Sequence, residues 1–381
     1  MNAINHMGKR VLFDTSAICN DYLRECTDQA LKKLFCYFLP LESGDIALTF
    51  VFTDRLDSFF QKGDGLILSE NAKVNNHQLF VTGHGNRYGY EFDDEKRLVK
   101  VYYELVTPSR INNTKSRVTS RAFLSSVESQ VNSFYTRGYL NSIQQVNLFE
   151  GGSFLHACSF CVGEDAYLVS ATPGAGKSSL LLSLRFTDGL KDIRFISDDF
   201  STIDSKGHTH QIGRAMAMKS HQLQYFPQLE YVVQNMSWMQ RMQWFLLKRR
   251  NLKYFLSPTE LFGDNVVTDK HVRHVIYMTN HNKKVIEHED MSVAEFARLN
   301  ANMLFSELYL GMEVFNHALE LPYMYLVGNV AYFIEKTQVN IQTSLKDCSC
   351  TLVKVPFRSD PRETLSYLLR NGLIRNDNHA D

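Results

Sequence analysis

The chain has 381 residues, 44% hydrophobic and 12% aromatic, enough for two domains or one large domain with an appendage, and it excludes a disordered chain. Lys plus Arg and Asp plus Glu each number 41, so the net charge is zero and no global field draws in nucleic acid or an anionic membrane. No apolar run approaches the ~20 residues of a membrane span, and Met1-Asn2-Ala3-Ile4-Asn5-His6 lacks the build of a secretion signal. With seven cysteines, an odd number without framework spacing, the expected location is the cytoplasm.

In chain order, residues 9–14 read as a strand and 27–38 as a short amphipathic helix. Strands are expected from Asp45 to Thr53 and from Leu98 to Val106, with a turn at Gly63-Asp64-Gly65 and a hairpin joining Leu79–Thr82 to Tyr88–Phe92. Gly83-His84-Gly85 is the turn of that hairpin, because no helix follows it as a dinucleotide site requires. The polar stretch Pro108 to Arg117 reads as a linker. Residues 1–118 are therefore expected to form an N-terminal β-rich α+β domain of unknown role, and 119–381 a nucleotide-binding domain.

Beyond the linker, Arg121 to Arg137 has helical spacing. Phe154 to Val162 and Ala166 to Ser170 read as strands, as do Asp192 to Ser197, Val272 to Thr279 and Thr351 to Pro356. Helices are expected over Gln234–Arg250, over 292–310 behind the cap Ser292 with Glu295, and over Pro361–Asn371 before Gly372. The alternation of strand and helix points to an α/β layer architecture.

Between the strand Ala166–Ser170 and the apolar run Leu180-Leu181-Leu182 stands Ala171-Thr172-Pro173-Gly174-Ala175-Gly176-Lys177-Ser178-Ser179. Strand, glycine-bearing loop and helix, with Lys-Ser at the helix start, make a phosphate-binding loop of Walker A type, relaxed in having Ala171 at its first position. Its glycines let backbone N–H groups turn inward on a polyphosphate, and the helix N-terminus adds partial positive charge. Lys177 is placed to reach the β- and γ-phosphates and the Ser178 hydroxyl to sit on Mg²⁺.

Asp198-Asp199 closes an apolar strand 21 residues after Lys177. On a neighbouring strand, both carboxylates would face the crevice of Lys177. Phosphoryl transfer uses such a pair, one for the metal and one to accept the proton of the attacking hydroxyl. Two close carboxylates also raise one pKa unless a cation lies between them, so metal binding should strengthen with pH. Spacing does not fix which aspartate does which.

Leu155-His156-Ala157, the loop Ala171 to Leu180, and Ile196-Ser197-Asp198-Asp199 together resemble the kinase domain of the HPr kinase family. The resemblance is nearest to its shorter relatives, such as lasso-peptide precursor kinases, and spans roughly residues 120 to 375. Ser257-Pro258-Thr259-Glu260-Leu261-Phe262-Gly263 fits those relatives more weakly. The resemblance implies a P-loop mixed-sheet kinase core of the HPr kinase and phosphoenolpyruvate carboxykinase type, using ATP and Mg²⁺. It implies that Pro173, Gly174, Ala175, Gly176, Lys177, Ser178 and Ser179 bind nucleotide, with Ser178 and Ser179 towards the metal. His156 would lie beside the transferring phosphoryl group, Asp198 would be the base, and Asp199 would stand on the metal side. The long Glu-, Arg- and Gly-rich signature of true HPr kinase/phosphorylases is absent after Asp199, where only Gly213-Arg214 stands. Arg214 is a candidate transition-state cation, as is Lys219. Relatives often self-associate, which makes a homo-oligomer an expectation.

Other features have structural readings. Cys158-x-x-Cys161 falls inside a strand, where residues three apart point to opposite faces, so buried thiols are expected. Cys348-x-Cys350, His208-x-His210 and His271-x-x-His274 lack the further ligands of a zinc site. Lys248-Arg249-Arg250 with Lys253 reads as a solvated helix end, or as a dock for an acidic peptide. The Met- and Trp-rich stretch from Met236 to Trp244 reads as core or subunit contact. Taken together, the sequence points to an ATP-dependent kinase acting on a Ser- or Thr-type hydroxyl of a peptide or protein. The alternatives are a kinase of a small hydroxyl-bearing metabolite and a nucleotide-binding regulatory module or weak ATPase.

Overall fold

The computed structural model describes residues 2–35, 42–60, 66–69, 72–74, 77–83, 86–95, 97–107, 127–187, 190, 192–211, 216–236, 238–247, 253–319 and 330–375. These form two units, Met1–Gly151 with Leu304–Thr337, and Gly152–Met303 with Gln338–Asp381. The expected boundary at 118/119, the polar linker and the start of the helix expected from Arg121 lie outside the described residues, as does the turn at Gly63-Asp64-Gly65.

The first unit is a mixed sheet with helices. Its strands are β1 (Asn2–His6), β2 (Lys9–Asp14), β3 (Ile46–Thr53), β4 (Leu66–Ser69), β5 (Ala72–Val74), β6 (Gln78–Gly83), β7 (Asn86–Phe92) and β8 (Leu98–Glu104), in the order β1-β2-β3-β8-β7-β6-β5-β4. β3 runs parallel to both β2 and β8, and the other pairings are antiparallel. A helix joins β2 to β3, as a parallel pair requires. It spans Asp21–Leu34, starting earlier than the expected 27 because Asn20 caps it, accepting from the Leu23 N–H; residues 36–38 of the expectation lie outside the described residues. The core is aromatic. Phe134, on the helix Val127–Phe134, meets the rings of Phe50, Phe52, Tyr103 and Tyr139. A π-turn, Tyr135–Tyr139, follows it and leads into the helix Leu140–Phe149. Gly138 lies in that turn, where a Cβ would stand 2.9 Å from the Phe134 ring.

The second unit holds β9 (Ser153–Leu155), β10 (Ala157–Val162), β11 (Asp165–Ala171), β12 (Ile193–Ser197), β13 (Ser201–Ile203), β14 (His208–His210), β15 (Met216–Lys219), β16 (Lys253–Leu256), β17 (Asp269–His281), β18 (Glu287–Asp290) and β19 (Ser349–Pro356). Its main path runs β12-β10-β11-β17-β14-β13-β9; β19 adds to β17 and β18 to β19, while β15 and β16 pair separately. The sheet is mixed, with β17 parallel to β11 and β19 and antiparallel to β14.

Both faces of this sheet are covered, so β10 and β11 are buried on both sides. Along β11, Tyr167, Val169 and Ala171 pack on one side with Leu180, Leu181 and Leu184 of the helix Lys177–Phe186 and Leu365 and Leu368 of the helix Pro361–Arg370. Leu168 points the other way, to Phe296, Ala297 and Ile341. The helix Val293–Leu319 starts where expected, with the Glu295 N–H on Ser292 Oγ, and runs further than 310. The helix expected over Gln234–Arg250 is two, Glu230–Asn235 and Trp238–Leu247. Met236 and Trp244 are buried there, while Trp238, Met242 and Phe245 are exposed. Among the described residues no helix is long and apolar enough to cross a membrane.

Candidate active site

The stretch expected as one strand from Phe154 to Val162 is two, interrupted at His156. β9 pairs with β13, whereas β10 pairs with β11 and β12, so the chain changes partners at that residue. The His156 carbonyl accepts from Lys177 Nζ at 3.3 Å and from Ser170 Oγ at 3.0 Å. Ser170 Oγ is also 2.8 Å from Oδ1 of Asn300, itself fully buried.

The glycine-bearing loop expected to bind phosphate follows β11. Gly174 and Gly176 have φ of +86° and +101°, and a Cβ at either would meet nothing within 4 Å. Glycine is needed there for backbone conformation rather than for space. The helix Lys177–Phe186 opens on Gly176 with no side-chain cap, which leaves its first-turn N–H groups directed at the loop. Lys177 and Ser179 are buried, and Ser179 Oγ accepts from Nε2 of Gln222 at 3.3 Å. Gln222 in turn accepts from the Lys219 backbone N–H at 2.7 Å, which places Lys219 one residue contact away from the loop helix.

β12 is not the neighbour of β11. β10 lies between them, antiparallel to both. β11 and β12 therefore run in the same direction, and their C-terminal ends open on the same edge of the sheet. Across that edge Ser178 Oγ donates to the Asp198 carboxylate, 3.0 Å from Oδ1 and 3.2 Å from Oδ2. Asp198 is 3% exposed. Burial pushes its pKa up and the Asp199 charge adds to this, against the Ser178 hydrogen bond and the Lys177 charge, which pull it down.

Asp199 is turned the other way. Its φ is +69°, rare for a residue with a Cβ, and the Phe200 N–H closes a γ-turn on the Asp198 carbonyl at 2.8 Å. Its side chain is 41% exposed, with Oδ1 3.5 Å from His156 Nε2. The His156 ring is stacked on Phe200 at 5.5 Å between centroids. Lys177, Ser178, Asp198, Asp199 and His156 thus gather at one sheet edge. Sequence reasoning missed Ser170 and Asn300, whose only signal was a polar residue among apolar neighbours, and Gln222, which carries no signal in its polar stretch.

Arg214 lies outside the described residues, as do Lys248, Arg249 and Arg250, and the side chain of Lys253 is not described. Cys158 packs with the loop helix while Cys161 packs with Ile196 on another face, so the pair shares no ligand. Burial raises the Cys161 thiol to about 11 and lifts Cys158 further. His210 Nε2 lies 3.0 Å from Asp204, and the His208 and His271 rings meet edge to face. Among the described residues no group of three His, Cys, Asp or Glu side chains is arranged to hold a metal. Ser178 and Asp198 offer hard oxygens, the donor type that Mg²⁺ takes alongside phosphate oxygens. A cavity of about 610 Å³, lined in part by Lys9, Arg97, Phe149 and Lys336, lies in the first unit and contains none of these residues.

No protein-family model matches the chain, and no curated protein matches it. Among solved structures it is similar to the Hpr(Ser) kinase/phosphatase from Coxiella burnetii, at 10% identity over 58% of this chain and 95% of that one, with a TM-score of 0.27. A likeness at that score carries no weight for the chemistry, which rests on the geometry of the loop, the carboxylates and His156.

Proposed function

We propose that the chain is a phosphotransferase that moves the γ-phosphoryl group of ATP to a Ser- or Thr-type hydroxyl of a peptide or protein. The observation that carries this reading is the hydrogen bond from Ser178 to Asp198, which brings the end of a phosphate loop and a buried carboxylate to one point. The open first-turn amides and the loop amides around Gly174 and Gly176 would cradle the phosphates, and Lys177 would leave the His156 carbonyl for their oxygens. Ser178 and Asp199 would hold Mg²⁺, which supplies neutralisation of the phosphate charge and leaves Asp198 for the proton.

Asp198 suits a general base because its raised pKa favours taking a proton more than an ordinary carboxylate does. The acceptor oxygen bonds to the γ-phosphorus as the bond from that phosphorus to the β–γ bridging oxygen breaks. The hydroxyl proton goes to Asp198, and ADP leaves. Phe200-Ser201-Thr202 follows the carboxylates, without the Gln or Glu that often orients a hydrolytic water, which favours a hydroxyl acceptor.

The test is incubation with γ-labelled ATP and a size-fractionated extract of the native host, with Lys177→Ala in parallel. Label in a peptide or protein fraction that is lost with Lys177→Ala is the expected result. Free phosphate alone would mean a hydrolase, and label in a small molecule would move the acceptor to a metabolite. No Lys177-dependent label of any kind overturns the reading.

A further inference from the structure

Beneath the turn at Asp198-Asp199 lies a group of buried hydroxyls that the transfer step does not use. Ser197 ends β12 and Ser201 begins β13, so the two flank the turn, and their Oγ atoms are 2.5 Å apart. Ser197 Oγ is also 2.7 Å from Ser159 Oγ on β10. Ser201 Oγ lies 3.1 Å from the Ala157 carbonyl and 3.2 Å from Ser159 Oγ. Thr209 on β14 donates to Ser159 Oγ at 3.1 Å. All four residues are between 0% and 2% exposed.

A hydroxyl has one proton to give and can accept twice. One direction of donation uses every proton once: Thr209 to Ser159, Ser159 to Ser197, Ser197 to Ser201, and Ser201 to the Ala157 carbonyl. The chain of bonds crosses four strands at the place where the sheet changes partners, and it ends on the residue after His156. Four hydroxyls cost desolvation that Ala or Val at the same positions would not. A strained backbone such as that of Asp199 persists only where its surroundings over-determine it.

We infer that this hydroxyl chain is the positioning device of the site. It clamps the base of the turn, keeps Asp199 in its left-handed conformation, and so holds the Asp198 carboxylate on Ser178. Ser159, Ser197, Ser201 and Thr209 are positioning residues, since none of them faces the crevice. Their consequence for transfer rests on the phosphotransferase reading; their hold on the turn does not.

The experiment compares the full chain with Ser201→Ala, Ser159→Ala and, as control, Thr202→Val. Thr202 is equally buried, but among the described residues its hydroxyl has no hydrogen-bond partner, so its loss leaves the chain of bonds intact. Amide hydrogen exchange is read over 197–201 and over the loop helix 177–186, together with the Mg²⁺ concentration that half-saturates binding of a fluorescent ATP analogue. Either serine variant is expected to speed exchange at the turn about tenfold or more with the loop helix unchanged. Each should raise the Mg²⁺ requirement and lower transfer about 10²-fold, the scale of an ångström of misplacement. Ser159→Ala is the decisive variant, because it acts on the turn from another strand. Unchanged exchange at 197–201 in both serine variants overturns the inference, and so does an equal rise across the whole sheet or the same effect from Thr202→Val. Nucleotide binding without Mg²⁺ dependence in the unsubstituted protein would count against the phosphotransferase reading, while the exchange comparison would still decide the role of the hydroxyls.

Discussion

Asp198 combines burial, a charged neighbour and a single hydroxyl donor. Its raised pKa means that the folded chain binds a proton there more tightly than the unfolded chain does. Stability from this group is therefore full below the ordinary carboxylate value of 3.8 and is lost as pH rises through the folded value. Asp198→Asn should then melt at a higher temperature than the unsubstituted protein at neutral pH, with the gap closing below pH ~4. It should keep nucleotide binding while transfer falls by about 10²–10⁴-fold. A lower melting temperature at pH 7, measured by calorimetry without nucleotide, would show that the carboxylate stabilises the fold. Gly176 gives a second measurement at this scale. Because space is free around it but its φ is +101°, Gly176→Ala should cost about 1–2 kcal/mol through backbone conformation alone, read as a shift in denaturation midpoint.

Elements succeed or fail through their ends and their shared cores. The turn between β13 and β14 is held by Asp204, whose Oδ1 accepts from the N–H groups of Lys206 and His208 and whose Oδ2 lies on His210. Burial alone would raise this carboxyl, but the His210 hydrogen bond and the backbone donors outweigh it and bring the pKa to about 2. Here the sign reverses: the stabilisation is present above 3.8 and is lost as pH falls towards 2. Asp204→Ala should destabilise by about 1–2 kcal/mol at pH 7, and acid titration of its melting temperature should converge on that of the unsubstituted chain near pH 2. In the first unit Phe134 touches four rings, and Phe134→Ala should cost about 3–5 kcal/mol by leaving a cavity that aromatic neighbours cannot close. Far-UV dichroism during denaturation measures it.

For the whole molecule, a ligand that binds only the folded state stabilises by mass action. MgATP at a hundred times its dissociation constant should add about 2.7 kcal/mol, and Lys177→Ala should abolish the shift while keeping the same melting temperature without nucleotide to within a few degrees. A shift that survives the substitution would place nucleotide elsewhere. Strands of both units were legible, and β2, β3, β6, β7 and β8 of the first stand within a few residues of expectation. Strands in the second alternate or run apolar between clear punctuation, and β11, β12, β17 and β19 stand within a few residues of expectation. The helix Val330–Ser344 had no expectation at all, and it belongs partly to each unit.

By itself the sequence determined the local pieces of the site: a strand, a loop whose glycines take positive φ, a helix opening on Lys177 and Ser178, and a strand ending in two aspartates. These depend on neighbours a few residues away, so spacing and composition express them. Only the tertiary structure decided that β10 lies between β11 and β12, that the strand is interrupted at His156, whose carbonyl accepts from Lys177, and that four hydroxyls from four strands meet under the turn. Strand order and buried hydrogen bonds are choices among long-range partners, and a serine in an apolar strand reads the same in sequence whether its partner is near or forty residues away.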